Sequence, residues 1–166
     1  TIQLIKSGGT RASSTTVANG EILGKIEARG HDGSNKETVG AKISFAADSS
    51  GAGTLTTNRV PTNINFYTAK GAGDDDIAQK MTILAGGNVG IGTAAPSYPL
   101  DVETSANDWA ASLVNTASSG SNACLYLQFS AAAPNDTSSK FIQCADYDGG
   151  ATIQAEIRAN GGLANY

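Results

Sequence analysis

Large apolar side chains are scarce in this sequence of 166 residues, in which Ile, Leu, Val and Phe together number 31. Such a share accompanies disorder when the net charge is high, but the net charge here is only −4. Ala, Gly, Ser, Thr and Asn make up more than half of the chain. These small side chains suit thin, closely approaching strands better than a thick core, so we expect a narrow β-rich body.

Histidine occurs once, as His31, so any catalytic triad or histidine-bound metal would depend on that residue. Asp32 and Ser34 are too close to it in sequence to build a triad, and we expect an exposed histidine in a turn. No apolar run approaches the roughly 20 residues that span a bilayer. The 11 basic residues form no run that could neutralise phosphates. We expect neither membrane insertion nor a nucleic-acid partner.

The only cysteines, Cys124 and Cys144, lie in apolar, strand-like runs. Their spacing matches no metal or redox motif, so we expect two buried, reduced thiols, with a bridge between adjacent strands as the alternative. Asp74 to Asp76 could offer oxygen ligands to calcium, but the Asp-x-Asp-x-Asp-Gly spacing of a calcium loop is absent. We therefore predict a solvated acidic loop, no metal site and no cofactor.

Alternating apolar and polar residues predict short strands separated by Gly, Asn and Pro turns, at the spacing of all-β folds. Residues 21–29 and 40–47 are expected to pair as a hairpin. Residues 77–84 also fit one face of a helix, and we favour a strand. Residues 7–19, rich in Ser, Thr, Gly and Ala, are interpreted as a linker or an extended wrap. Further strands are predicted at residues 1–6, 54–57, 63–68, 110–115, 124–129, 140–146 and 152–158.

The most informative stretch runs from Gly86 to Val102, with the sequence GGNVGIGTAAPSYPLDV. Val89 and Ile91 alternate with Gly90 and Gly92, so a strand here has branched side chains on one face and bare backbone on the other. Something must lie close against that bare face.

After the Ala-Ala-Pro stop, Leu100 and Val102 resume the two-residue period, with Asp101 and Glu103 facing away. Strands this short need neighbours, from this chain or from other chains. The glycine pair lacks the third glycine and the helix of a nucleotide loop. Asp101 and Glu103 lack the enclosed cleft of a glycosidase. We expect no enzymatic activity.

Aromatic residues are the candidates for contact with a sugar, because aromatic faces stack on the apolar side of carbohydrate rings. Trp109 and Tyr147 lie next to polar turns and could be exposed. Tyr98 and Tyr126 lie in or beside strands, and we expect them to be packing residues.

The stretch from Gly86 to Val102 resembles the "GNVGIGT..P...L.V" signature in the shafts of bacteriophage tail fibres and related trimeric fibres. The likeness extends over most of the chain from about Gly20. It implies an all-β, elongated homotrimeric fibre with intertwined or prism-like β modules. The implied function is a structural segment of the virion's tail fibre that supports attachment to the host cell. Such a fibre is assembled in the host cytoplasm and acts outside the cell, with other tail or fibre proteins and host surface glycans as partners.

Two other functions stay open: a carbohydrate-binding tip of the fibre, and a polysaccharide-degrading tailspike. A bacterial trimeric adhesin is a third alternative. Residues 159–166 resemble the stretch that precedes a self-cleaving intramolecular chaperone in many such fibres. Since Thr1 is not a natural start, we expect the chain to be a fragment or a processed product.

We divide the chain into an extended linker or end of an upstream shaft module (1–19), a first β module (20–85), a strand-turn-strand joint (86–103) and a second β module (104–166). Within the joint, the glycines are expected to let backbones meet near the threefold axis, while the branched side chains lock the chains together. The residues expected at the trimer interface are Val89, Gly90, Ile91, Gly92, Leu100 and Val102.

Overall fold

The computed structural model describes residues 8–10, 13–31, 33, 37–48, 55–56, 58–70, 77–119, 123–129, 139–147 and 151–158. Within these residues the chain is all-β and contains no helix, which confirms the predicted class. The strands are β1 (Gly8–Thr10), β2 (Ser13–Thr15), β3 (Ile22–His31), β4 (Glu37–Ala47), β5 (Thr62–Ala69), β6 (Ile77–Ile83), β7 (Val89–Ile91), β8 (Leu100–Val102), β9 (Lys140–Tyr147) and β10 (Ala151–Arg158).

Six strands form the main sheet, in the order β3-β4-β5-β6-β7-β8. Neighbouring strands are antiparallel except for β7 and β8, which are parallel. The predicted hairpin is therefore confirmed as β3 and β4, and residues 77–83 form a strand rather than a helix. The 89–91 and 100–102 strands of the predicted joint extend this same sheet.

One face of the main sheet, the apolar face, carries two straight rows of apolar side chains. The strand registers align one residue from each of the six strands in every row. The first row contains Ile26, Ile43, Phe66, Met81, Ile91 and Val102. The second row contains Gly24, Phe45, Ile64, Ile83, Val89 and Leu100.

The opposite face, here called the polar face, carries the residues that alternate with the two apolar rows along each strand. These residues are mostly small and polar. In register across the strands, the row between the two apolar rows contains Lys25, Ser44, Asn65, Thr82, Gly90 and Asp101. This is the face that the chain itself covers, since Thr82 and Ser44 are 0% and 1% exposed. The Thr82 hydroxyl donates a hydrogen bond of 2.7 Å to Asn65 Oδ1.

A conventional apolar core is small in the described part of the chain. The buried apolar residues there are Val17, Val39 and Ala47. None of the eleven large side chains on the apolar face is buried. Each of these side chains therefore keeps part of its surface in contact with solvent, and Ile26, Ile91 and Leu100 are exposed.

Two further hairpins lie outside the main sheet. β1 pairs with β2 inside the 7–19 stretch, which the sequence analysis interprets as a linker or an extended wrap. β9 pairs with β10, and the two strands lie where the sequence predicts strands, at residues 140–146 and 152–158. The chain divides into two compact units, Thr1–Ala111 with the main sheet and Ser112–Tyr166 with β9 and β10.

Two predicted strands are not formed. No strand forms at residues 110–115, a run of mostly small side chains, or at residues 124–129, which alternate. A strand exists only where a neighbour completes its hydrogen-bond ladder, and alternation alone does not supply that neighbour. At the predicted strand 54–57, the described residues contribute one isolated bridge, between Thr56 and Arg59. Residues 1–6, 74–76 and 159–166 lie outside the described residues.

Candidate functional site: the apolar face and the β7–β8 crossover

The connection between β7 and β8 spans residues 92–99 and joins two parallel strands. Parallel neighbours are normally joined by crossovers of about a dozen residues or more, usually containing a helix. This shorter crossover must stay close to the sheet. The Val89 N–H donates a hydrogen bond of 2.9 Å to Pro99 O, which ties the end of the crossover to β7.

Gly90 is the residue over which the crossover passes. It is buried on the polar face, and a Cβ there would lie 2.6 Å from Thr93 O and 3.2 Å from Pro96 Cδ. Real Cβ atoms do not approach backbone oxygen that closely, so the fold requires glycine at this position. The prediction that something lies close against the bare face is confirmed, and the neighbour belongs to the same chain.

Gly92 begins the crossover with φ of +78°, in the left-handed region that favours glycine. A Cβ at this position would collide with Glu103 O, just after β8. Gly90 and Gly92 thus both have a role within one chain. They lie against the chain's own crossover and β8 end, and the proposed approach of backbones from three chains is not needed to explain them.

Polar side chains tie the crossover to the two strands. Asn88 Nδ2 donates to Pro96 O at 3.1 Å, and Asp101 Oδ2 accepts from Ser97 N–H at 2.9 Å. Asp101 faces the polar side, as its alternation predicts, and there it anchors the loop. The Asn, Gly, Pro and Asp positions of the stretch therefore build one compact crossover.

The four apolar residues expected at the trimer interface lie together on the apolar face. Ile91 and Leu100 are 43% and 63% exposed, and Val89 and Val102 are half-buried. They complete both apolar rows at the β8 edge of the sheet. The structure thus groups four of the six predicted interface residues on one open surface.

Sequence reasoning missed the larger part of this surface, which lies on β3 to β6. The apolar parity of each strand was visible in the sequence. What was missing was the register that places Ile26, Ile43, Phe66 and Met81 in one row with Ile91.

The apolar face also has a hollow of about 310 Å³ near its β3–β5 end. It forms where Ala28 and Ala41 lie beside the larger Ile26, Ile43 and Phe66. A hollow between large side chains can accommodate an apolar side chain from another surface. The apolar face is therefore uneven in shape, which allows a partner surface to interlock with it.

A second group of exposed apolar residues belongs to the predicted strands that are not formed. Val114 is 75% exposed, and Leu113, Leu125 and Leu127 are 59%, 57% and 41% exposed. Phe129 packs on Phe141 of β9 with ring centroids 4.9 Å apart. Both segments therefore present side chains suited to a sheet interior without lying in a sheet.

The aromatic candidates are exposed more widely than predicted. Trp109 is 87% exposed, in agreement with its position beside a polar turn. The expectation that Tyr98 and Tyr126 are packing residues is wrong, because neither the crossover nor the 123–129 segment is covered there. Tyr98 is 68% exposed and Tyr126 is 78% exposed. Tyr147 ends β9, and its side chain lies outside the described residues.

The remaining sequence candidates in the described ranges are His31, Cys124 and Cys144. His31 is exposed, as predicted, and its Nδ1 accepts from Gly33 N–H at 3.1 Å. In that part of the chain, no three His, Cys, Asp or Glu residues are grouped to hold a metal. Cys124 and Cys144 are free thiols, but both are exposed, so the prediction that they are buried is wrong.

Charged side chains form a cluster on β3. Glu27 Oε1 lies 2.6 Å from Lys25 Nζ, and Glu27 Oε2 lies 2.9 Å from Arg29 Nη2. Hydrogen bonds from Lys25 and then Arg29 hold the pKa of Glu27 below its usual 4.5.

A matching cluster lies on the β9–β10 hairpin. Lys140 Nζ lies 3.1 Å from Glu156 Oε2, and Arg158 pairs with the other oxygen. These contacts, led by the hydrogen bond from Lys140, lower the pKa of Glu156.

No family model matches the chain, and no curated protein matches it. Among the described residues, no helix is long and apolar enough to cross a membrane. The functional argument therefore depends on the surfaces themselves.

Proposed function

We propose that this chain is a structural segment of a bacteriophage tail fibre, in which three copies assemble through their apolar faces to support attachment to the host cell. The observation that carries the proposal is the apolar face itself. Its eleven large side chains include no charged group, lie in straight rows, and are all at least partly exposed.

The free energy of burying these side chains favours assembly. Fully burying a side chain of this size contributes about 1.5 to 3 kcal/mol, and these side chains are already partly covered, so about 1 kcal/mol remains for each. Covering the face would then contribute on the order of 10 kcal/mol per chain, before the entropy of association is subtracted. That is comparable to the whole stability of a typical domain.

A copy of the same chain is the partner that best fits this surface. Large exposed apolar patches commonly mark surfaces through which proteins associate. The chain has apolar surface exposed in both of its units, and self-association can cover both with one type of partner. The number three comes from the resemblance of the stretch from Gly86 to Val102 to trimeric fibre shafts.

The proposed role is mechanical, and it needs no catalytic group or cofactor. The fibre would hold a binding tip away from the virion, together with other tail proteins. It would be assembled in the host cytoplasm and act outside the cell. A carbohydrate-binding tip remains the second candidate, supported by the 87% exposure of Trp109.

Light scattering coupled to size-exclusion chromatography tests the proposal directly. Three copies of the 16.8 kDa chain give a mass of about 50 kDa. We expect this mass to persist on dilution to micromolar concentration. A stable monomer would overturn both the assembly and the fibre role that depends on it.

A further inference from the structure

The apolar face has a hollow and a protruding side chain at opposite edges of the main sheet. The hollow of about 310 Å³ lies where β3, β4 and β5 run side by side. Leu100 lies on β8 and is 63% exposed, more than any other of the large side chains on this face. The sheet order puts five strand spacings between β3 and β8, a distance of about 24 Å. Leu100 therefore cannot reach the hollow of its own chain.

The hollow suits an apolar side chain. Ala28 and Ala41 face each other across the β3–β4 ladder, and Thr68 continues their row on β5. These short side chains form the floor of the hollow, and the larger Ile26 and Phe66 of the first apolar row stand beside it.

The hollow is also large enough for a leucine. A closed cavity of about 150 Å³ already holds a benzene molecule. Lys42 and Tyr67 border the hollow as well. They alternate with the floor residues, and their side chains contact each other, with Lys42 Nζ 4.1 Å from the centre of the Tyr67 ring. The ammonium group is therefore turned away from the hollow.

Leu100 is held in a fixed position by the crossover. Its strand pairs with β7, where Leu100 lies opposite Val89. On one side of it, Pro99 O accepts a hydrogen bond of 2.9 Å from Val89 N–H. On the other side, Asp101 Oδ2 accepts one of 2.9 Å from Ser97 N–H. Because the backbone around Leu100 is already ordered, little entropy is lost when a partner covers this side chain.

We propose that Leu100 of one copy fills the hollow of the next copy, around a closed ring of three chains. The hollow and Leu100 are different parts of one sheet, so the contact between copies is heterologous, and heterologous contacts form a ring when the rotation closes. Each chain then gives its Leu100 once and receives a neighbour's once. The inference rests on the proposed assembly through the apolar faces, and it names the contact that joins neighbouring copies.

The positions of the two parts along the strands fit such a ring. Leu100 belongs to the second apolar row, and the hollow lies between the first row and the row of Ala28 and Ala41. Neighbouring copies therefore meet with an offset of about 10 Å along the strands. Across a sheet about 24 Å wide, this offset corresponds to strands tilted by about 20° from the threefold axis. Sheets that close around an axis need a tilt and a stagger of this kind.

Cross-linking of the full chain with a short bis-maleimide tests the contact. Ala41→Cys and Leu100→Cys place one thiol at each end of it, in a chain whose own exposed thiols are removed by Cys124→Ser and Cys144→Ser. We expect the double variant to give covalent trimers on a denaturing gel and each single variant to give single chains. The matched control combines Leu100→Cys with Lys80→Cys, an exposed position on β6 outside the hollow, and should stay uncross-linked.

The outcomes separate this contact from the proposed function. An assembly of about 50 kDa in light scattering whose 41–100 pair is not cross-linked would overturn the contact and leave the trimer standing. A monomer would overturn both. Cross-linking that stops at two chains, with the mass of a dimer, would overturn the ring of three.

A second set of variants tests the contact without cysteines, and it decides the question if a cysteine variant fails to fold. Leu100→Ala empties the hollow of the next copy and should raise the concentration at which the assembly dissociates about tenfold or more in analytical ultracentrifugation. Ala41→Leu fills the hollow from its own chain and should have a similar effect, because it excludes Leu100. The two changes together should recover most of the loss, since the new leucine occupies the space that Leu100 leaves.

Ile91→Ala is the matched control for this set. It removes a similar apolar side chain from β7, beside β8 and outside the hollow, so Ala41→Leu should add to its loss instead of offsetting it. Losses that simply add in the pair Ala41→Leu and Leu100→Ala would refute the contact, as would an equal rescue of Ile91→Ala.

Discussion

Replacing Gly90 with alanine should destabilise the fold although it adds only one methyl group. The new Cβ would lie 2.6 Å from Thr93 O, 3.1 Å from Thr93 Cγ2 and 3.2 Å from Pro96 Cδ. The nearest of these atoms is backbone, so no rotation of a side chain can relieve the contact. The crossover has to lift away from the sheet.

The cost follows from what the crossover would lose. Overpacking of this kind costs about 1 to 3 kcal/mol. Lifting the loop also weakens the bonds from Asn88 to Pro96 and from Ser97 to Asp101, each worth about 1 kcal/mol. We expect Gly90→Ala to lower the free energy of unfolding by about 2 to 4 kcal/mol.

Urea unfolding at one fixed protein concentration measures this loss, because the stability of an assembly depends on concentration. The matched control is Gly30→Ala on β3. Gly30 has no atom within 4 Å of its Cβ position and a φ suited to any residue. That variant should be neutral or slightly stabilising. If both variants unfolded at the same urea concentration, the crossover would not lie on Gly90 and our explanation of the glycine motif would be refuted.

Three further changes test other parts of the structure. Phe66→Glu places a charge in the middle of the apolar face and should convert the assembly to monomers, as measured by light scattering. The control Lys80→Glu should leave the mass unchanged. If Phe66→Glu kept the full mass of the assembly, this face would be excluded as the interface. Thr82→Val removes the buried donor to Asn65 and should lower the free energy of unfolding in urea by about 1 to 3 kcal/mol. Thr82→Ser keeps a hydroxyl and should lose less. Equal stability of the unmodified chain and both variants would contradict the hydrogen bond. Because the folded-state pKa of Glu27 is lowered, its contribution to stability is present above the ordinary pKa of 4.5 and is lost as the pH falls through the lower folded value. Melting temperatures between about pH 3 and 7 should therefore fall less steeply on the acid side in Glu27→Gln, and identical profiles would refute the ion pairs.

The sequence predicted the main sheet well where strands were long and regularly alternating. β3 and β4 follow the alternation of Ile26 and Ile43 with charged or polar neighbours, and the ladder that joins them was expected from the turn between them. The β6 strand was harder to assign, because its apolar residues fit both periods. Its place between β5 and β7 resolves the ambiguity, since both neighbours complete its ladder.

Prediction failed where a pattern depends on a partner. Residues 124–129 alternate as clearly as the true strands, and residues 110–115 were predicted as a strand of small residues, but no ladder forms at either segment. The same reason explains the exposure of Cys124 and Tyr126, which were expected to be buried in a sheet. Alternation shows which side chains a segment could bury as a strand. The segment forms that strand only where a neighbouring strand pairs with it.

The β7 segment with Gly90 and Gly92 shows most clearly what the sequence determines and what the tertiary structure adds. By itself, the sequence determined that β7 has a bare face, that something must lie against it, and that Val89 and Ile91 share the other face, because side chains alternate along any strand. Only the tertiary structure decided that the neighbour of Gly90 is the chain's own crossover, and that the apolar side chains continue into rows across six strands. Those facts depend on register and on the path of the connection. Both are set by contacts between residues distant in sequence, which a local pattern does not contain.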